Sequence, residues 1–130
     1  MYSELHISQA DRRPMYLQIM EQIRHRIAVG DWPPGSEIPS IRSLAAATKV
    51  SVITVKRAFD DLEKEGVLVT RPGRGTFVSD DVNLTANLRD DELDAHLQAA
   101  VSVGLQMGLS AEELEARWKQ VLESARGGKS

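Results

Sequence analysis

A chain of 130 residues, 42% hydrophobic and 27% charged, has room for one ordinary domain with a short appendage, and its composition is globular rather than disordered. Without cysteine it can hold neither a disulfide framework nor a thiolate metal site, and without a signal-peptide core or a long apolar run it reads as a cytoplasmic protein with no membrane partner. The net charge of −3 is unevenly spread: residues 1–80 carry 11 basic and 10 acidic side chains and residues 81–130 carry 5 and 9, while 42–76 hold 7 basic residues against 4 acids, all between Asp60 and Glu65. A locally basic stretch joined to an acidic tail fits the footprint of a nucleic-acid binder, but by itself it is weak support.

Pro14 suits the first turn of a helix, and Tyr16, Ile19, Met20, Ile23 and Ile27 follow at helical spacing. Gly30 supplies the stop, and Asp31-Trp32-Pro33-Pro34-Gly35 is a turn that no helix crosses. Ile38 reads as a very short strand, and Ser40 as the cap of a short helix burying Ile41, Leu44 and Ala45. Ser51 caps the next helix, whose apolar stripe of Val55, Ala58, Phe59 and Leu62 ends at Gly66. Residues 67–70 and 76–79 read as strands around a tight turn over 71–75. Three helices and a hairpin, with a few residues between the second and third helices, predict a winged helix-turn-helix.

Residues 80–89 are polar and patternless, so 81–89 reads as a linker between a DNA-binding domain over 1–80 and a tail over 90–125. In the tail, Leu93, Leu97, Ala100, Val101, Gly104 and Leu105 share one helical stripe. Ser110 and Glu113 form a capping box for a last helix with Leu114, Trp118, Val121 and Leu122 on one side. Residues 126–130 are expected to be disordered. The expected fold is mainly α with a small β-hairpin: an N-terminal winged helix-turn-helix followed by a two-helix antiparallel C-terminal extension.

The stretch RPGRGTFV, residues 71–78, invites three readings. A nucleotide loop needs a following helix and further glycines or Gly-Lys-Ser/Thr, whereas Thr76-Phe77-Val78-Ser79 is an extended pattern. A plain tight turn explains the glycines, since such turns need positive φ. Arg74 at the tip, beside a helix-turn-helix, favours a wing that lies along the DNA backbone or reaches into the minor groove.

PPGSEIPSIRSLAAATKVSVITVKRAFDDLEKEGVLVTRPGRGTFV, residues 33–78, resembles the DNA-binding domain of the GntR family of bacterial transcription regulators, and Pro14-Met15-Tyr16-Leu17-Gln18-Ile19 is similar to its opening helix. The resemblance implies DNA contacts from Arg42, from Ser51, Val52, Thr54 and Lys56 at the start of the recognition helix, and from the wing at Gly73, Arg74 and Gly75. Many members carry arginine where this chain has Val52 and Lys56. Valine cannot make a bidentate contact to guanine and lysine is a point charge, so a guanine-centred operator does not carry over. Val52 and Ile53 are instead expected to pack on thymine methyls. Periodicity places Arg57, with Ile53, Asp60 and Lys64, opposite the buried stripe and favours Arg57 over Lys56; the resemblance favours Lys56. Asp60 and Asp61 would repel phosphate, so the helix is expected to enter the groove by its N-terminal end.

The short two-helix tail resembles the YtrA-like subgroup, which implies dimerisation through the tail and genes that often accompany ABC-type transporters. Ala100, Gly104 and Gly108 leave a flat stripe where another helix can approach, although Gly108 also reads as a helix stop. A homodimer would present two recognition helices to a palindromic operator, with half-sites about 34 Å apart. Repression by occluding polymerase follows from the same resemblance, and the sequence names no small-molecule effector.

An enzyme would need a paired constellation, and none is present; Asp90-Asp91-Glu92-Asp94 reads as acids complementing a helix dipole. A lone His96 is not a metal site, His6 and His25 have no partner at ligand spacing, and no cofactor is expected. The remaining rival is a winged helix that binds protein rather than DNA, which Arg42, Lys56, Arg57 and Arg74 argue against.

Overall fold

A computed structural model describes residue 5 and residues 12–127. The chain divides into two compact units, one closing at Glu92 and the other opening at Leu93. The first holds α1 (Met15–Ala28), α2 (Ile41–Thr48), α3 (Val52–Lys64) and an antiparallel hairpin of β1 (Leu68–Arg71) and β2 (Gly75–Val78). α4 (Val82–Gln106) begins in the first unit, and α5 (Ala111–Gly127) lies in the second.

One core organises the first unit. Ile19, Ile23 and Ile27 of α1 meet Leu44 of α2, Val55, Ala58, Phe59 and Leu62 of α3, and Leu68 and Val78 of the hairpin. Each stripe is the one its spacing predicts, because helical residues three and four apart share a face. Tyr16, partly buried, packs at its edge.

The ends of the helices are set by local chemistry. Ser40 accepts from the Ser43 N–H and Ser51 from the Thr54 N–H, so each fills an otherwise orphan donor. Lys49, at φ 59°, is the one described non-glycine residue with positive φ and makes the turn between α2 and α3. Past α3, Gly66 at φ 80° donates to the Glu63 carbonyl and Val67 to that of Leu62, which reverses the chain directly into β1.

The hairpin register pairs Leu68 with Val78, Thr70 with Thr76 and Arg71 with Gly75. A third segment joins it: the Ile38 N–H donates to Thr76 and the Val78 N–H to Ser36, with an isolated bridge between Glu37 and Phe77. The very short strand expected at Ile38 is therefore a single bridge, centred one residue earlier.

Residues 81–89, expected as an irregular linker, are helical except for Asp81, whose carboxylate accepts from the Asn83 and Leu84 N–H groups and so starts α4. The segment looks patternless because only Leu84, Thr85 and Leu88 are half-buried. Leu84 lies over Gly66 and Leu88 packs on the core.

In the second unit, Gly108 at φ 82° donates to Leu105 and Leu109 donates to Gly104, ending α4. Ser110 and Glu113 cap α5 reciprocally, at 3.0 and 3.2 Å. The two helices meet near this turn, where Leu114 covers Gly104, and are not packed along their lengths. The two-helix C-terminal extension expected from the sequence is present, with Leu114 of α5 set against Gly104 of α4. Of the end expected to be disordered, Arg126 and Gly127 complete α5, and 128–130 lie outside the described residues.

Candidate nucleic-acid interface

The N-terminal end of α3 is open to solvent and carries no acid in its first turn. Ser51 stands at the cap, its hydroxyl 2.8 Å from that of Thr54. Val52 is exposed and Ile53 is 81% exposed, two apolar side chains open to solvent among the described residues. The four buried residues on the opposite side fix how the helix presents them. Arg42 is exposed in the first turn of α2, where Ser40 supplies the cap.

Further along α3, Ile53, Lys56, Arg57, Asp60, Asp61 and Lys64 line one shallow open depression. The two mid-helix cations differ there. Lys56 Nζ is 2.8 Å from Asp60 Oδ2, and this hydrogen bond and opposite charge hold the ammonium pKa above its ordinary value. Among the described residues Arg57 makes no ion pair; its guanidinium carbon lies 3.7 Å from the centre of the Tyr16 ring on α1.

The wing is built by its glycines. The Arg74 N–H donates to the Arg71 carbonyl across Pro72 and Gly73, with Gly73 at φ 74°, the geometry of a type II turn. Gly75, at φ 131°, holds a backbone conformation that side chains rarely adopt, and a Cβ there would also fall 2.6 Å from the Glu37 carboxylate, which would have to move aside. Arg71 lies over the Phe77 ring at 4.9 Å, which leaves Arg74 exposed at the tip.

Ile53, Lys56 and Arg57 are therefore brought together on one surface. Arg42 and residues 73–75 stand on separate elements of the same unit, outside that depression. Sequence reasoning missed Tyr16, read only as part of the α1 stripe, and Glu37. Neither carries a local signal, since each acts on a residue about 40 positions away.

Of the expected dimerisation residues, Leu93, Ala100, Val101, Leu105, Trp118, Val121 and Leu122 are exposed, and Leu97 and Leu114 are half-buried. Gly104 is buried against Leu114 of its own chain, where a Cβ would collide with the Leu114 side chain. Its small size lets Leu114 of α5 pack closely against α4. Val103 and Met107 add exposed apolar surface to α4. Among the described residues no group of three or more His, Asp or Glu side chains could hold a metal ion, and no helix is long and apolar enough to cross a membrane.

The sequence pattern of the bacterial regulatory proteins of the gntR family matches residues 15–78. Over 102 residues, 78% of this chain and 84% of the relative, the chain is 34% identical to YhcF of Bacillus subtilis (strain 168), an uncharacterized HTH-type transcriptional regulator. It is 30% identical over 126 residues, 89% of this chain and 90% of the relative, to the HTH-type transcriptional repressor YtrA of the same organism. A GntR family transcriptional regulator from Listeria monocytogenes superposes with a TM-score of 0.77 at 27% identity, over 85% of this chain and 96% of that one. The DNA-binding domain of AraR, solved in complex with operator ORX1, superposes with a TM-score of 0.55 at 30% identity, over 61% of this chain and all of that one.

Proposed function

We propose that this chain, which belongs to the gntR family of bacterial regulatory proteins and to its YtrA-like subgroup, works as a homodimeric repressor of transcription. It is a DNA-binding regulator and not an enzyme, a conclusion that rests on family membership rather than on any missing site. The observation that carries the reading is the open, acid-free start of α3, with Ser51, Val52, Ile53 and Thr54 presented for base contact and exposed arginines on two neighbouring elements. A relative's domain of the same fold seated on an operator supports using this surface for DNA.

In this reading Arg42 and Arg74 bind backbone phosphates, the latter with Gly73 and Gly75 allowing close approach, and Lys56 and Arg57 add positive charge along α3. Val52 and Ile53 prefer thymine. Two copies associate through the exposed apolar residues of α4 and α5, whose large side chains have too little cover within one chain. The pair reads a palindrome, occludes polymerase in the cytoplasm, and controls genes that include those of a transporter. Selection of binding sites from random duplexes by the full chain tests this: a thymine-bearing palindrome with half-sites about one helical turn apart supports it. Enrichment of single half-sites, or of none, contradicts it.

A further inference from the structure

The two cations at the middle of α3 are held in opposite ways. Lys56 spends its charge on Asp60, one turn along the same helix. Arg57 has Asp61 one turn on but makes no ion pair with it; its guanidinium carbon lies over the ring of Tyr16, which sits on α1 and packs, partly buried, against the core. Stacking on an aromatic face uses the π surface of a guanidinium and leaves its in-plane N–H donors unspent. An arginine stored in this way has already lost the rotamer freedom that binding would otherwise remove.

We propose that Tyr16 is a positioning residue for DNA binding: its ring holds the Arg57 guanidinium so that the free N–H edge meets a backbone phosphate. This rests on the DNA-binding reading above. Lys56, engaged by Asp60, contributes less than Arg57, which decides between the two cations that sequence alone left open. The contact fixes the protein against the backbone and carries no base preference of its own.

The test is a double-mutant cycle on the full chain, read by fluorescence anisotropy on a duplex selected from a random pool by the natural protein. Tyr16→Leu is expected to weaken binding about 3- to 10-fold, the range of a partly exposed cation–π contact. Arg57→Ala is expected to weaken it further and to reduce the salt slope by about one. In the Arg57→Ala background, Tyr16→Leu should then cost less than about 2-fold, because the group it positions is gone. Tyr16→Phe keeps the ring and should restore affinity, which separates lost stacking from a misfolded domain; thermal unfolding of each variant checks the latter. An equal loss from Tyr16→Leu in both backgrounds gives Tyr16 a packing role only and overturns the proposal, as does Tyr16→Leu binding like the natural chain. If the natural chain binds no duplex in a salt-dependent way, the DNA reading itself falls, and that result is distinct from either of these.

Discussion

At the scale of single residues, caps and glycines carry consequences that are local and separable. Ser51 holds the Thr54 N–H at the start of the recognition helix, so Ser51→Ala should lower the unfolding free energy by about 1 kcal/mol in chemical denaturation. Gly75 faces both a positive φ and the Glu37 carboxylate. Gly75→Ala should therefore weaken the wing and DNA binding together, and Glu37→Ala added to it should recover part of the loss by removing the clash but not the φ strain. No recovery in the double variant would mean that the carboxylate is not what fills that space. Glu113 has its carboxyl pKa lowered, first by the Ser110 N–H and then by the Ser110 hydroxyl. A depressed folded-state pKa gives stability that is present above the unfolded value, about 4.3, and is lost as pH falls through the folded value. Acid titration followed by circular dichroism should show the start of α5 loosening in that window, and Glu113→Gln should flatten the dependence.

At the scale of elements, what was legible in the sequence is what a single stretch of chain decides. α1, α2 and α3 were readable because their stripes repeat at helical spacing and because Ser40, Ser51, Gly30 and Gly66 mark their ends. The wing was readable because Pro72, Gly73 and Gly75 admit few other backbones. The start of α4 was not, since its cap is one aspartate in a polar run and its half-buried apolar residues are two leucines. The covering of Gly104 by Leu114 and the stacking of Arg57 on Tyr16 were not legible either, because both are contacts between helices. The element most dependent on packing is α3, with Phe59 at its centre and 1% exposed. Phe59→Ala should cost about 3–5 kcal/mol, enough to leave much of the first unit unfolded at 37 °C. Melting within a few degrees of the natural chain would show that the core does not close around that ring.

At the scale of the whole molecule, the proposed reading links association to DNA binding. Large apolar side chains on α4 and α5 lie open in one copy, and burying them between two copies offers the hydrophobic gain that one chain forgoes. Trp118→Asp with Leu105→Asp should convert a dimer to a monomer in sedimentation and weaken operator binding by more than tenfold, with the first unit still folded. A dimer engaging six to eight phosphates loses affinity with a slope of log K against log salt of roughly −5 to −7. The most direct measurement is therefore anisotropy of the full chain on its selected palindrome across a salt series, beside Arg42→Ala and Arg74→Ala. Tight binding with that slope, weakened and made less salt-sensitive by each substitution, is the result predicted here. Weak binding that ignores salt and treats all three chains alike would contradict it, and would leave the winged helix as a surface for another protein.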